Sequence, residues 1–511
     1  MILVVILAVV GVLLVAVVVF DLIQRQHAIL RNFPVIGHLR YILERVGPEL
    51  RQYIVTDNNE ERPFSRDERA WVYSSSKGEN SNFGFGSDND LDHASDYVII
   101  KHAAFPVPAR AGEPDHPDVS ITLPAGKILG ESHGRAGAFR PASVVNISGM
   151  SFGSLSARAV EALNRGSALA GSLQSTGEGG ITDHHRYGGD LIWQIGTGYF
   201  GCRDADGRFD LARLTDAASS APVRAIEIKL SQGAKPGLGG VLPAAKVTPE
   251  IAAIRGVPVG EICRSPSAHS AFHDADSLIE FIEQIAEATG LPVGIKSAVG
   301  EQLFWVDLAD RMAATGGGPD FITIDGGEGG TGAAPLSFSD HVSLPFRWGF
   351  ARVYREFAQR ALADDIVFVG SGRLGLPETA LAAMAIGCDL INVGRTALLS
   401  IGCIQSQRCH TDRCPTGVAT QNPRLARGLD PELKSVRCAM YIATLRFELL
   451  RLARACGVAH PALVRADQLE LLEQRWRATP LQEIVGYETG WGLPSERQAA
   501  ELCRLMAEPL K

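Results

Sequence analysis

The sequence has no excess of basic residues, and this limits the partners it can have. Its 49 lysines and arginines are outnumbered by 57 aspartates and glutamates, which gives a formal net charge of -8. A nucleic-acid-binding chain needs a basic face, so this balance argues against a nucleic-acid partner. No G-x-G-x-x-G motif follows an early predicted strand, so nothing marks a dinucleotide-binding domain of the doubly wound type.

The first residues lack polar side chains. Nineteen consecutive residues, Ile2 to Phe20, have neither a charge nor a hydrogen-bonding side chain, and a bilayer-spanning helix needs about 20 apolar residues. Residues 1–24 are therefore predicted to form a transmembrane anchor. A cleaved signal peptide is the alternative, but it requires a positive region that Met1 does not supply. A buried core helix is disfavoured because no face is polar.

Basic residues follow the apolar run at Arg25, Arg31, Arg40, Arg45 and Arg51. Under the positive-inside rule, this asymmetry predicts that the rest of the chain lies in the cytoplasm. We therefore expect a single-pass membrane protein whose folded body is cytoplasmic.

The nine cysteines do not indicate a disulfide framework, because they are odd in number and scattered. Cys403, Cys409 and Cys414 are different: they fall within twelve residues and end in Cys-Pro, as iron-sulfur loops do. Three thiolates favour a three-iron cluster or a site with one open ligand position, whereas zinc would recruit a fourth ligand such as His410. Buried structural thiols are the remaining alternative.

Strand-like apolar runs alternate with helical segments in the middle of the chain. Ser277 to Glu287 has one apolar face, and Glu378 to Ile386 is rich in alanine. The alternation predicts a parallel α/β fold, and the length suits a (β/α)8 barrel of about 250 residues with extensions. A doubly wound sheet is the alternative. The predicted strands are residues 144–147, 225–229, 293–296, 321–325, 366–370 and 390–394.

The barrel prediction divides the chain into four parts. Residues 1–24 are the anchor, 25–100 a polar lead-in, 101–430 the barrel with the cysteine loop, and 431–511 a largely helical C-terminal extension. Neither the lead-in nor the extension contains a recognisable motif.

Glycine-rich turns occur at 148–153, 176–180, 232–237, 325–332 and 370–373. Free backbone N–H groups in such turns can bind a phosphate, which in barrels commonly lies at the ends of the last two strands. Gly370 to Arg373 and Gly394-Arg395 match that place, which favours a phosphorylated cofactor. Lys229 and Lys296 end apolar runs, where a lysine can hold an anionic cofactor ring or a substrate carboxylate; a solvated lysine is the alternative.

Several of these segments resemble the synthase domain of glutamate synthase and occur in that family's order. They are residues 149–153, 175–180, 229–240, 329–335 and the cysteine loop, and the resemblance covers roughly residues 30 to 440. The lead-in Arg31 to His38 is similar to that of stand-alone FMN-binding glutamate synthase-like proteins.

The resemblance implies an FMN-binding TIM barrel with a 3Fe-4S cluster on Cys403, Cys409 and Cys414. Electrons would come from ferredoxin or a similar donor, pass through the cluster to FMN, and reduce 2-iminoglutarate, formed from 2-oxoglutarate and ammonia, to L-glutamate.

The family's functional residues carry over to positions in this chain. Lys229 and Glu178 would be the catalytic pair, and Lys235 and Arg255 would bind the two carboxylates of 2-oxoglutarate. The expected FMN contacts are Ser151, Gly153, Lys229 and Lys296, with Gly372, Arg373, Gly394 and Arg395 at the phosphate.

Two turns depart from the family pattern. Val241 stands where a substrate-binding glutamine is usual, and the turn 325–330 lacks the usual histidine. The chain also shows no amidotransferase domain, so ammonia is expected from solution or from a separate glutaminase subunit. Two alternatives follow: a relative that acts on another amine or 2-oxo acid, as N-methylglutamate synthases do, or a membrane-bound electron-transfer flavoprotein.

Overall fold

A computed structural model gives the fold of the chain. It describes residues 2–54, 61–79, 82, 84, 86–87, 89–91, 95–110, 112–473 and 477–508, without the side chains of 48–54. Parts of the predicted lead-in and C-terminal extension, together with Met1 and the side chain of Arg51, lie outside the described residues.

Thirteen strands occur in the described parts of the chain. They are β1 (Tyr97–Ile100), β2 (Val145–Ile147), β3 (Gln174–Ser175), β4 (Leu191–Ile195), β5 (Val223–Lys229), β6 (Val241–Leu242), β7 (Cys263–Arg264), β8 (Val293–Ser297), β9 (Phe321–Asp325), β10 (Val367–Ser371), β11 (Leu390–Val393), β12 (Leu469–Glu473) and β13 (Arg477–Pro480).

Eight of these strands close into a barrel in the order β2-β3-β4-β5-β8-β9-β10-β11, with β11 pairing back onto β2. Neighbouring barrel strands are parallel, so all of their carboxyl ends open at the same mouth. The predicted (β/α)8 barrel is confirmed, and the doubly wound alternative is wrong.

The helices of the described chain flank the barrel or belong to its extensions. They are α1 (Ile2–Ile23), α2 (Ala28–Asn32), α3 (Gly37–Ile54), α4 (Arg66–Lys77), α5 (Ala157–Ala170), α6 (Leu211–Ser219), α7 (Pro249–Arg255), α8 (Ala275–Thr289), α9 (Leu303–Thr315), α10 (Leu336–His341), α11 (Phe346–Gln359), α12 (Pro377–Ala385), α13 (Arg395–Ser400), α14 (Pro423–Ala426), α15 (Pro431–Ala455), α16 (Leu481–Val485) and α17 (Glu496–Ala507).

Side chains along the barrel strands alternate between the interior and the helix layer. Because the strand period is two, β5 directs Ala225, Glu227 and Lys229 to one side, and Ile226 and Ile228 pack in the main hydrophobic core. Ala225 belongs to a separate apolar cluster with Phe321, Val367 and other barrel residues. The interior is thus apolar at the amino ends of the strands and charged at the mouth.

Six of the eight barrel strands agree with their predicted positions to within two residues at each end. The two that the apolar runs did not reveal are β3, which is only two residues long, and β4, Leu191–Ile195. The predicted helix at Ser277 to Glu287 extends over α8, where the Asp274 side chain caps the first turn and Gly290 ends the helix with φ of 70°.

The C-terminal extension has the expected helices and also two strands that were not expected. β12 pairs antiparallel with β1 of the lead-in and with β13. This three-stranded sheet ties the two ends of the folded body together, so the prediction of a largely helical extension was incomplete.

The first helix, α1, is the one helix of the described chain that is long and apolar enough to span a membrane, by length and composition. A signal sequence meets the same criteria. Its only buried residue is Asp21, whose carboxylate accepts a hydrogen bond from Val35 N at 2.9 Å and contacts His38 Nε2 at 2.8 Å. The end of α1 is therefore fixed to the start of α3.

Helix α5 packs closely on α15 at Gly166. A Cβ at Gly166 would lie 2.7 Å from Cys438 Cβ and 3.0 Å from Ser435 O.

Glycine in a helix interior normally costs about 0.5–1 kcal/mol relative to alanine, but overpacking a core costs about 1–3 kcal/mol. We expect Gly166→Ala to lower the free energy of unfolding by roughly 1–2 kcal/mol in denaturant titration; a variant as stable as the wild type would contradict this packing.

Candidate active site at the barrel mouth

A lysine–carboxylate pair lies at the mouth of the barrel. Lys229 ends β5, and its Nζ lies 3.0 Å from Glu178 Oε1 and 3.1 Å from Gln232 Oε1. Glu178 is in the glycine-rich turn that follows β3. The two predicted catalytic residues are thus brought together, and only 11% of the Lys229 side chain is exposed, so the solvated-lysine alternative is wrong.

Two glycines make room for the Glu178 carboxylate. A Cβ at Gly196 would lie 2.4 Å from Glu178 Oε2, and one at Gly240 would lie 2.5 Å from Oε1, so any other residue would displace the carboxylate. Burial alone would raise the pKa of Glu178, but the nearby charges of Lys229, Lys235 and Arg255 lower it below its ordinary value. Glu178 is therefore the anion among three cations.

Lys235 and Arg255, the predicted substrate-binding residues, are both buried, each 6% exposed. Lys235 Nζ donates to Ala333 O at 3.3 Å, and burial followed by the charge of Lys229 lowers its pKa. Neither residue is a surface cation.

The Arg255 guanidinium has only neutral partners. It donates to Phe152 O at 3.0 Å and to Ser151 Oγ at 3.4 Å, and its Nε has no hydrogen-bond partner. Neither Lys235 nor Arg255 forms a salt bridge within the described residues. The mouth therefore has an excess of positive charge. Because burying a charge without a counter-charge is costly, this excess favours the binding of an anion.

The second predicted lysine is neutralised by a neighbour. Lys296 on β8 lies beside Lys229 in the strand register, and its Nζ is 3.6 Å from Asp325 Oδ2 at the end of β9. Asp325 also accepts a hydrogen bond from Gly233 N at 2.9 Å. Lys296 therefore forms an ion pair with Asp325 on the inner face of the barrel.

A polar layer lies below the charged mouth. The buried carboxylate of Glu227 accepts hydrogen bonds from Gln194 Nε2 at 2.5 Å and from Thr323 Oγ1 at 2.7 Å. Sequence reasoning did not select these residues; the alternation of polar and apolar positions within β5 is the signal that marks Glu227.

His269, which was not predicted from the sequence, contacts the backbone of Lys229. Its ring Nε2 lies 2.9 Å from Lys229 O, and its Nδ1 lies 3.0 Å from Tyr199 Oη. Burial lowers the pKa of His269 to about 4, so the ring is neutral at physiological pH. No sequence motif marks this histidine.

The glycine-rich turns near the mouth, which include the predicted cofactor contact Gly153, are closely packed. A Cβ at Gly177, which has φ of 67°, would lie 2.4 Å from Ser151 N, and one at Gly153, with φ of 105°, would lie 3.1 Å from Arg255 Nη2. Ser175 Oγ is buried without a hydrogen-bond partner. At these glycines no side chain occupies the surface of the turn, which would allow a planar ligand to approach the backbone closely.

The predicted phosphate-binding residues lie at the ends of the last two barrel strands. Gly372 and Arg373 follow β10, whereas Gly394 caps α13 and Arg395 begins it. A cavity of about 210 Å³ borders Gly372 and Arg373.

The lead-in supplies unexpected partners to both arginines. Phe64 lies under the guanidinium groups of Arg373 and Arg395, 5.3 and 5.1 Å from its ring centroid, and Arg373 Nη2 donates to Glu68 Oε1 at 2.7 Å. Burial and the charge of Arg373 lower the pKa of Arg395 to about 10. The capping box formed by Ser65 and Glu68 predicts the start of α4 from the sequence. It does not predict the contacts of Phe64 and Glu68 with the two arginines.

The three loop cysteines form one neighbourhood without converging on a single-ion site. Burial, with the neighbouring thiols Cys414 and Cys409, raises the pKa of Cys403 to about 12. No group of three His, Cys, Asp or Glu side chains in the described residues is close enough to hold one metal ion.

The cysteine loop is held against the lead-in and the barrel. Tyr73 Oη donates to Cys403 O at 2.9 Å, and the Gln405 amide exchanges hydrogen bonds with the backbone of Phe64. Gln405 N donates to Cys403 Sγ at 3.4 Å. Lys246, whose Nζ donates to Ser154 O at 2.9 Å, provides a positive charge beside Cys409.

Comparison with known proteins gives a family match and a similar protein whose descriptions both mention glutamate synthase. Residues 131–459 match the family model described as the conserved region in glutamate synthase. The chain is 38% identical to the glutamate synthase large subunit-like protein YerD of Bacillus subtilis, over 86% of this chain and 88% of that protein.

A second relative is the archaeal-type glutamate synthase [NADPH] of Thermotoga maritima, 34% identical over 61% of this chain and 59% of that protein. The match thus spans little more than half of that relative. A solved structure of a mutant flavocytochrome b2 with pyruvate bound aligns over 90% of this chain and 96% of that one, with 14% identity and a TM-score of 0.42.

The charge arrangement at the mouth predicts a pH-dependent stability. Because the folded-state pKa of Glu178 lies below its ordinary value of 4.5, its stabilising effect is complete above that pH and is lost as pH falls through the folded-state pKa. We expect Glu178→Gln to lower the free energy of unfolding by up to about 3 kcal/mol at neutral pH, with the difference shrinking in acid, as measured by denaturant titration across pH.

The matched control for this titration is Glu161→Gln. Glu161 pairs with Arg165 one helical turn away on α5, and such pairs contribute about 0.3–0.5 kcal/mol. Equal losses in the two variants, or a Glu178→Gln loss that grows in acid, would contradict the arrangement.

Proposed function

The chain belongs to the glutamate synthase family, and on that premise we propose that it is an FMN-dependent oxidoreductase that makes L-glutamate from 2-oxoglutarate and ammonia. The excess of buried positive charge at the barrel mouth is the observation that carries this proposal. A 2-oxo dicarboxylate has two negative charges, and the buried cations Lys235 and Arg255 form no salt bridge within the described residues and share the single nearby anion Glu178 with Lys229. A paired cationic clamp of this kind is what a dianion needs.

The residues of the mouth fit a bound FMN. Ser151, Gly153, Lys229 and Lys296 would hold the ring, and Gly372, Arg373, Gly394 and Arg395 would hold the phosphate. When bound, FMN supplies the hydride that reduces the imino carbon. The Lys229 ammonium favours negative charge on the ring or substrate beside it, and the closely packed glycine turns support this contact.

The chain's own residues orient the substrate and hold a proton. Reduction of an imine to an amine takes up one hydride and one proton, and Lys229 Nζ holds a proton at the mouth. Glu178, at 3.0 Å, pairs with Lys229 and fixes the position of its side chain, and His269 fixes the Lys229 backbone. Lys235 and Arg255 would bind the two carboxylates and thereby fix the orientation of the imino acid at the mouth.

Electrons would enter through a 3Fe-4S cluster on Cys403, Cys409 and Cys414. Three thiols in one loop, a backbone N–H donating to Cys403 Sγ and a lysine beside Cys409 support this assignment. We propose ferredoxin or a similar carrier as the donor. The names of the archaeal-type relatives specify NADPH, which makes NADPH the second donor to test.

Two further parts of the proposal concern the source of the ammonia and the location of the enzyme in the cell. Ammonia comes from solution or from a separate glutaminase subunit. Helix α1 anchors the enzyme as a single span, with the barrel in the cytoplasm, because Ile2–Ile23 is apolar and exposed and arginines follow it.

A second candidate reaction uses another amine. Val241 stands where the family has a substrate-binding glutamine, and it lies on β6, which pairs with β7 beside Gly240 and Glu178. An apolar side chain there favours an alkylated amine over ammonia, as in N-methylglutamate synthases.

Product analysis on the full chain tests the proposed reaction. The detergent-purified, FMN-loaded protein would be incubated anaerobically with 2-oxoglutarate, ammonia or methylamine, and either reduced ferredoxin or NADPH. Formation of L-glutamate supports the main proposal, and N-methylglutamate alone supports the second. A protein whose flavin is reduced without forming either product is an electron-transfer flavoprotein, which would overturn both.

Lys235 provides a direct test of substrate binding. Loss of one partner of a buried charged contact costs about 2–5 kcal/mol, so we expect Lys235→Met to raise KM for 2-oxoglutarate at least about tenfold, with the FMN content unchanged. The control Lys101→Met removes an exposed lysine paired with Glu470 on the three-stranded sheet and should change neither KM nor kcat. An unchanged KM in Lys235→Met would show that this residue does not bind substrate.

Iron analysis tests the cluster separately. We expect Cys409→Ser to lose the iron of the wild type, about three atoms per chain, while FMN is retained because the cysteine loop and the predicted phosphate site are different segments. Cys503→Ser changes an exposed cysteine on α17 and should keep all of the iron. Full iron in Cys409→Ser, or equal loss in both variants, would refute the assignment.

A further inference from the structure

Helix α3 has an apolar face that the described part of the protein leaves uncovered. Ile36, Leu39, Ile42, Leu43 and Val46 are 71%, 60%, 56%, 64% and 43% exposed. At 3.6 residues per turn, these positions fall within an arc of about 120° around the helix. A soluble protein rarely exposes so regular an apolar stripe without a partner for it.

The other side of α3 is polar and charged. Arg40 forms an ion pair with Glu44 within the helix, and Arg45 is exposed about 160° around the helix from Leu43. Arginines beside an apolar stripe are typical of helices that lie in the interfacial region of a membrane, where they meet anionic headgroups.

The start of α3 is fixed at the end of the apolar helix α1. Asp21, the first charged residue after the apolar run, is fully buried and holds Val35 N and His38 Nε2. Val35 itself has φ of 65°, so the chain turns sharply there. Where α1 leaves a bilayer, α3 therefore begins at the level of the headgroups.

We propose that α3 lies in the membrane interface, with Ile36, Leu39, Ile42, Leu43 and Val46 inserted among the lipids. The proposal rests on the membrane anchoring proposed above, and adds a second contact that fixes the orientation of the barrel. A lipid bilayer fits this face better than a second copy of the chain, because Asp21 ties the start of α3 to the end of the apolar helix α1.

Site-specific photocrosslinking on the full chain tests this contact. A diazirine amino acid would replace Leu43, or, as a matched control, Arg45, which is exposed, lies outside the apolar stripe and is about 160° around the helix from Leu43. A third variant would carry it at Leu13 within α1. Each protein would be reconstituted into phosphatidylcholine–phosphatidylglycerol vesicles, irradiated, and analysed by mass spectrometry for lipid and protein adducts.

We expect lipid adducts at positions 13 and 43, with at least fivefold fewer at position 45. Lipid adducts at 13 combined with chain-to-chain crosslinks at 43 would make this face a contact between copies and overturn the proposal. Equal lipid labelling at 43 and 45, or none at either, would also overturn it while leaving the anchor intact. An absence of lipid adducts at 13 would remove the anchor itself.

Discussion

The two-residue period of the barrel strands is the constraint on which the site depends. Every second residue of β5 faces the barrel interior, so Ala225, Glu227 and Lys229 rise from an apolar floor through a polar layer to the mouth. Parallel pairing places Lys229 beside Lys296 on β8. A shift of one residue would turn these charges into the apolar helix layer, so the fold and the site are specified by the same pattern.

Charge is balanced inside the barrel but not at its rim. Lys296 has Asp325, and Lys229 has Glu178, whereas Lys235 and Arg255 are buried with neutral partners. Under the proposed function, the cost of burying these two cations is offset when the substrate binds, which is how binding sites are commonly preorganised. The glycines around Glu178 serve the same end, because they let backbone approach where side chains would fill the space.

The sequence revealed the barrel well because its longer strands are continuous apolar runs. It missed β3, which is too short to show a period, and β4, whose run contains the polar Gln194. It also missed β12 and β13, which lie in a three-stranded sheet with the distant strand β1. The position of Lys229 at a strand end marked it as a candidate, whereas Glu178, Lys235 and Arg255 were expected only from the family resemblance; the structure places charges of all four near one another. Phe64, Tyr73 and His269 were not identified, because their contacts span long sequence separations that no local motif encodes.

The most direct test of the account is equilibrium binding of substrate, measured without turnover. Calorimetric titration of the full chain with 2-oxoglutarate and with 2-oxobutanoate compares a dianion with a monoanion of similar shape. Three cations that share the single anion Glu178 leave an excess of positive charge at the mouth. This excess predicts that the dianion binds at least about tenfold more tightly, a difference of roughly 1.4 kcal/mol, and that salt weakens this preference only slightly because the site is buried. Equal affinities for the two acids would contradict a dicarboxylate site at the barrel mouth.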